Sequence, residues 1–163
     1  MDSIGLYQLH RIDRKVPLED QLGELTLLKQ EGKIRHIGLS EVTVAQIEAA
    51  RKVTPIVSVQ NLYNLADRSA EEVLDHCERN DLAFIPWFPI ATGNLARPGG
   101  PLDAISTEHG ATPAQLALAW LLRRSPVMLP IPGTSSVAHL EENVAAAEVR
   151  LTDDEYEALG KAI

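Results

Sequence analysis

The chain has 163 residues, room for one domain at the usual ~100–200 residues apiece. Its 45% apolar and 23% charged residues are ordinary globular composition and exclude a disordered chain. With 15 basic against 23 acidic residues the formal charge is −8, a surface that repels phosphate backbones and excludes general nucleic-acid binding.

Five histidines and one cysteine cannot build a thiolate metal cage or a disulfide framework, so no metal site is expected. Cys77, in Val73-Leu74-Asp75-His76-Cys77-Glu78, reads as a small buried hydrophobe. No apolar run reaches the ~18 residues that span a bilayer and no signal peptide is visible, which gives a cytoplasmic expectation without a membrane partner.

Five short apolar runs recur in chain order: Ile4–His10, Ile34–Ser40, Ile56–Gln60, Leu82–Pro86 and Val127–Pro132. Their near-continuous apolar content suits strands covered on both faces. Between the first two, Leu18, Leu22, Leu25 and Leu28 fall at helical spacing behind Pro17. Val44, Ile47 and Ala50 mark the next helix. Ser69-x-x-Glu72, Thr112-x-x-Gln115 and Thr152-x-x-Glu155 read as capping boxes, with Pro113 at a first helical position and Ser136 as a further N-cap. The alternation predicts an α/β fold of about five parallel strands joined by helices.

A doubly wound sheet and a βα-barrel both satisfy that order. No Gly-x-Gly-x-x-Gly opens a helix after a strand, and polar residues collect at strand ends, which favours the barrel. A complete (β/α)8 TIM barrel needs eight strands and ~250 residues. The expectation is therefore a partial barrel, a single domain over residues 1–163 with N-terminal strands absent. The long connection from Trp87 to Pro101 reads as a functional loop.

Polar residues at strand ends carry the candidate chemistry. A neutral imidazole at His10 can donate a hydrogen bond to a carbonyl, or else serve the neighbouring backbone. The Gln60 and Asn61 amides suit a planar carboxamide, and Ser40 adds a hydroxyl on the same face. Trp87 offers an indole face to a flat ring or to the core, whereas Trp120 reads as helix packing. Gly133-Thr134-Ser135-Ser136, ahead of a helix, combines close backbone approach with hydroxyls and free N–H groups, an anion site that is compatible with simple capping. Gly93-Asn94 offers further backbone donors.

Taken together, Leu6–His10, Gly32–Ser40, Val59–Asn64, Ile85–Ile90 and Pro130–Ser136 through Glu142-Asn143 resemble the second half of an aldo-keto reductase. The resemblance implies a barrel that binds NADPH in extended form and reduces an aldehyde or ketone, a small-molecule carbonyl substrate, without a metal. It makes His10 the catalytic histidine, puts Ser40 and Gln60 on the nicotinamide carboxamide and stacks Trp87 beneath the ring. Phe88, Ile90 and Gly93 fall in the loop along the pyrophosphate. Gly133, Thr134 and Ser135, then His139, Glu142 and Asn143, fall at the adenosine end.

This sequence departs from the family at several positions. Glu41 stands where many members carry asparagine, Gly133 where many carry lysine, and His139 where arginine is common. NADPH stays the expected cofactor, with NAD the alternative. The family's proton-donor tyrosine, its lysine and its aspartate have no match in this sequence, and the long C-terminal loop has none either. Three readings stand: part of a carbonyl reductase; a non-catalytic half-barrel that binds nucleotide or assembles through exposed sheet edges; and, least supported, an unrelated phosphate-binding barrel.

Overall fold

The computed structural model describes residues 3–90 and 102–161. The chain forms two compact units, one from Met1–Asn61 and Ala70–Ile85, the other from Leu62–Ser69 and Pro86–Ile163.

The first unit alternates β1 (Ile4–Leu9), α1 (Leu18–Gln30), β2 (Ile34–Ser40), α2 (Val44–Arg51), β3 (Ile56–Gln60), α3 (Glu71–Arg79) and β4 (Ala83–Phe84). Its sheet runs β1-β2-β3-β4 with every pair parallel. The row Leu9, Leu39, Val59 and Phe84 is in register across the four strands, so these side chains share one face. Leu39, Val59 and Phe84 are fully buried, as are Leu22 of α1, Ile47 and Ala50 of α2, and Leu74 and Cys77 of α3. Each helix packs on the strand that follows it, which is how a parallel sheet covers a face. Burial pushes the Cys77 thiol up to about 12, against a smaller opposing pull from Arg51. At the sheet's edge β1 differs: Ile4, Leu6 and Tyr7 are all exposed.

The second unit is helical. Its elements are α4 (Asp103–His109), α5 (Pro113–Arg124), α6 (Val137–Ala145), a single 3-10 turn at Ala146–Glu148 and α7 (Asp153–Lys161). Trp120 of α5 anchors it, stacking on Tyr63 and on Tyr156 while its Nε1 donates to the Tyr156 carbonyl. The Arg68 guanidinium lies 4.8 Å from the Trp120 ring centre, a cation–π contact. No helix among the described residues is long and apolar enough to cross a membrane.

Two of the expected capping boxes form, at Thr112/Gln115 and Thr152/Glu155, and Ser136 caps the His139 N–H. A third forms at Thr43/Gln46, a pair written in the sequence with the same spacing. The Ser69-x-x-Glu72 box does not form. Both the Ser69 hydroxyl and its N–H donate instead to Asp67 Oδ1, and α3 starts later, behind Ala70. A nearby carboxylate outcompetes a helix end for a short hydroxyl.

The expected fifth strand is also corrected. Over Val127–Pro132 only Met128 makes a bridge, and the rest is irregular. Pro126, Pro130 and Pro132 remove the N–H groups a ladder would need. Among the described residues the sheet therefore has four strands.

Glu155 joins the start of α7 to the end of α4. Its carboxylate accepts from the Thr152 N–H at 2.6 Å and the Thr152 hydroxyl at 2.7 Å, and meets His109 Nε2 at 2.6 Å. Those bonds, the Thr152 pair first, hold its carboxyl at about 2 instead of the ordinary 4.5. A depressed carboxyl stabilises the fold fully above the unfolded value and loses that effect as pH falls through the folded one. Glu155→Gln is expected to lower Tm at neutral pH, with the difference from wild type shrinking as pH falls from 4.5 towards 2. A pH-independent difference in melting curves would contradict this.

Candidate functional site

The first unit's site grows from register. Gln8, Gly38 and Ser58 form one row across β1–β3, and Ser40 pairs with Gln60 one pleat further on. Alternation puts all of them, and His10 just beyond β1, on the face opposite Leu39 and Val59. The row closes because Gly38 has no side chain: a Cβ there would lie 2.2 Å from Ser58 Oγ and 3.2 Å from Gln8 Cγ. Gln8 Nε2 donates to Gln60 Oε1 at 3.0 Å. Gln8 Oε1 and Ser58 Oγ are buried without a hydrogen-bond partner among the described residues.

Ser40 is buried, and its hydroxyl donates to the Gln60 carbonyl at 2.9 Å. Arg11 Nη1 donates to Ser40 Oγ at 3.2 Å and to the His10 carbonyl at 2.7 Å. The Ser40 hydroxyl thus keeps one lone pair, and the Gln60 amide N–H groups remain as donors. That donor set fits a carboxamide: the lone pair takes one of its N–H groups, and the Gln60 amide donates to its oxygen. Asn61 is not part of this set. Its amide is buried and closes a two-way bond with the Val42 backbone, donating to the carbonyl at 2.9 Å and accepting from the N–H at 3.1 Å.

In the second unit Trp87 makes a parallel bridge with Leu62 and sits tilted against Phe88, ring centres 6.3 Å apart. Phe88 is exposed and holds φ at 58°, a strained setting for an aromatic residue. Asn64 fixes it: its amide donates to the Phe88 carbonyl at 3.1 Å, while its oxygen accepts from the Ala66 and Asp67 N–H groups.

A cavity of about 230 Å³ brings together Ile90, Gly133, Thr134, His139, Glu142 and Asn143, with Thr112–Ala114 as its remaining wall. One glutamine braces it. Gln115 accepts from the Thr112 N–H in its capping box and donates to the Glu142 carbonyl at 3.0 Å, tying the start of α5 to α6. The first-turn N–H groups of α6 that Ser136 leaves uncapped are open donors at this end. Among the described residues no lysine or arginine lines the cavity. Ser135 lies in the same loop but off the cavity wall, and Gly93 lies outside the described residues.

A larger cleft of about 700 Å³ runs along α1, lined by Glu19, Asp20, Gln21 and Glu24 among others. It touches no strand end, and Gln21 already spends its amide on Asp13 and Val16. Sequence reasoning passed over Gln8, Arg11 and Asn64. The two-residue period shared by Gln8 and His10 is a usable signal; Arg11 and Asn64 have none.

Comparison with known proteins places the chain in a family. The aldo/keto reductase family profile matches residues 1–163, and the chain belongs to that family. It is 56% identical over 157 residues to an uncharacterized oxidoreductase of Schizosaccharomyces pombe, covering 96% of this chain and 51% of that one. To the pyridoxine 4-dehydrogenase of Escherichia coli it is 45% identical over 137 residues, covering 84% and 48%. Among solved structures, the thermostable aldo-keto reductase Tm1743, in complex with the inhibitor epalrestat, superposes with a TM-score of 0.91 at 33% identity, covering 99% of this chain and 61% of that one. An aldo-keto reductase from Klebsiella pneumoniae in complex with NADPH gives 0.87 at 30% identity, covering 97% and 58%. The chain spans about half the length of the curated relatives it matches.

The row at Gly38 is directly testable. Gly38→Ala is expected to destabilise the chain by about 1–3 kcal/mol through overpacking. Adding Ser58→Ala, which removes the clashing oxygen, should recover most of that loss in urea unfolding. Strictly additive losses would show that the two positions do not meet.

Proposed function

We propose that residues 1–163 form part of an NADPH-dependent carbonyl reductase, acting on a small aldehyde or ketone. The observation that supports this most is the one cavity lined by Ile90, Gly133, Thr134, His139, Glu142 and Asn143, all positions the family resemblance assigns to the nucleotide. When bound, NADPH supplies the hydride that reduces a carbonyl carbon. His10 donates to the carbonyl oxygen and orients it. Ser40 accepts from the carboxamide of the nicotinamide, Gln60 donates to it, and Trp87 stacks on the ring. Phe88, Ile90 and Gly93 follow the pyrophosphate, while Gly133, Thr134, Ser135, His139, Glu142 and Asn143 hold the adenosine end. Among the described residues no lysine or arginine lines that end, and on that lining NADPH is expected to outbind NADH by less than in a lysine- and arginine-lined site.

The tyrosine, lysine and aspartate that complete the reaction belong, in this reading, to the half of the relatives' length that the chain does not span. Its own tyrosines are committed elsewhere. Tyr63 and Tyr156 stack on Trp120, and Tyr7 alternates to the face opposite Gln8. Losing a general acid costs typically 10²–10⁴-fold. NADPH is therefore expected to quench the fluorescence of the 163-residue chain, with the quench lost in Trp87→Ala, while carbonyl reduction stays negligible. Absence of any NADPH response would overturn the nucleotide assignment; turnover of ~1–10³ s⁻¹ would overturn the account of the missing acid.

A second reading, a non-catalytic half-barrel that assembles with another chain, is favoured by the apolar edge strand with Ile4, Leu6 and Tyr7 exposed. Unpaired strand edges promote association. Light scattering is expected to show self-association that weakens in Leu6→Lys. A monodisperse monomer would remove this reading.

A further inference from the structure

We propose that Arg11 is a nicotinamide-binding residue, supplying the carboxamide donor that Glu41 cannot. The inference rests on the nucleotide reading above. The Ser40 hydroxyl proton is committed to the Gln60 carbonyl and one lone pair to Arg11, so Ser40 can only accept from an incoming amide. Gln60 has given its oxygen to Gln8 and keeps its amide N–H groups. Glu41 follows Ser40, and a carboxylate accepts without donating. A carboxamide oxygen has two lone pairs to satisfy, and Gln60 is one donor.

Arg11 is the other group beside that hydroxyl. A guanidinium carries five N–H donors. Nη1 spends its two on the His10 carbonyl and Ser40 Oγ, which fixes the planar head at the ends of β1 and β2. Nε and Nη2 have no acceptor among the described residues, and no carboxylate there forms an ion pair with Arg11. A pre-positioned cation with donors to spare, in a chain of charge −8, is an unusual surface arginine. Hydrogen bonds from an ionised donor are about twice as strong as neutral ones.

Glu41 supports the same exchange from the backbone side. Its φ is 53° and its N–H donates to the Gln60 carbonyl. Asparagine tolerates this left-handed setting better than glutamate does. The position therefore holds a left-handed backbone with an acceptor-only side chain, while the neighbouring strand end presents the Arg11 guanidinium.

The test compares two probes on the intact 163-residue chain by calorimetry: NADPH, and adenosine 2′,5′-bisphosphate, which lacks the nicotinamide. Arg11→Ala is expected to weaken NADPH about tenfold and to leave the bisphosphate unchanged, with Arg11→Lys recovering part of the loss. A general loss of structure would weaken both probes, and thermal melting of each variant detects it independently. Equal NADPH affinity in wild type and Arg11→Ala, or parallel loss of both probes, overturns the role of Arg11 alone. Failure of the unaltered chain to bind either probe overturns the nucleotide reading, and this inference with it.

Discussion

Close approach of three parallel strands at Gly38 is the constraint from which the polar face follows. With no side chain in the middle of the row, Gln8 and Ser58 reach towards each other across β2. Gln8 then orients the Gln60 amide, and Ser40 seats its hydroxyl on the Gln60 carbonyl. A side chain at position 38 would meet the Ser58 hydroxyl and the Gln8 side chain and crowd this row. The apolar row one residue on, Leu39 and Val59, needs the same register for its burial. Core packing and site geometry are thus two faces of one pairing pattern.

In the second unit the organising part is a pair of helix starts. The Thr112/Gln115 box starts α5 with its first turn facing the cavity, and the same glutamine reaches α6. A capping residue usually satisfies orphan backbone donors at one end of one helix. Here the Gln115 oxygen caps while its amide N–H spans to a neighbour, so local helix initiation and the spacing of the cavity walls share one side chain. Among the described residues, the wall this produces carries the Thr112 and Thr134 hydroxyls and the Glu142 carboxylate.

Much of this was legible in the sequence, for specific reasons. Strands β1 to β3 and their helices announce themselves through near-continuous apolar runs and periodic leucines, and Thr112, Pro113 and Thr152 mark helix starts directly. The fifth strand failed because apolar content at Val127–Pro132 outvoted three prolines that forbid a ladder. The Ser69 box failed because Asp67 lies two residues upstream, a local competitor the spacing rule ignores. Strand-end polarity singles out His10, Ser40, Gln60 and Asn61 alike, and cannot tell that the Asn61 amide is spent on Val42. Arg11 and Asn64 act through partners distant in the chain, Ser40 and Phe88. Such tertiary partners leave no periodic trace.

The lone thiol has a practical corollary. Cys77 is fully buried and its proton is held up to about 12, so near neutrality almost none of it is the thiolate that alkylating reagents attack. A cysteine introduced at the surface would therefore be chemically unique without first deleting the native one. Spectroscopic labels can be carried one at a time on either compact unit, in an otherwise unaltered chain.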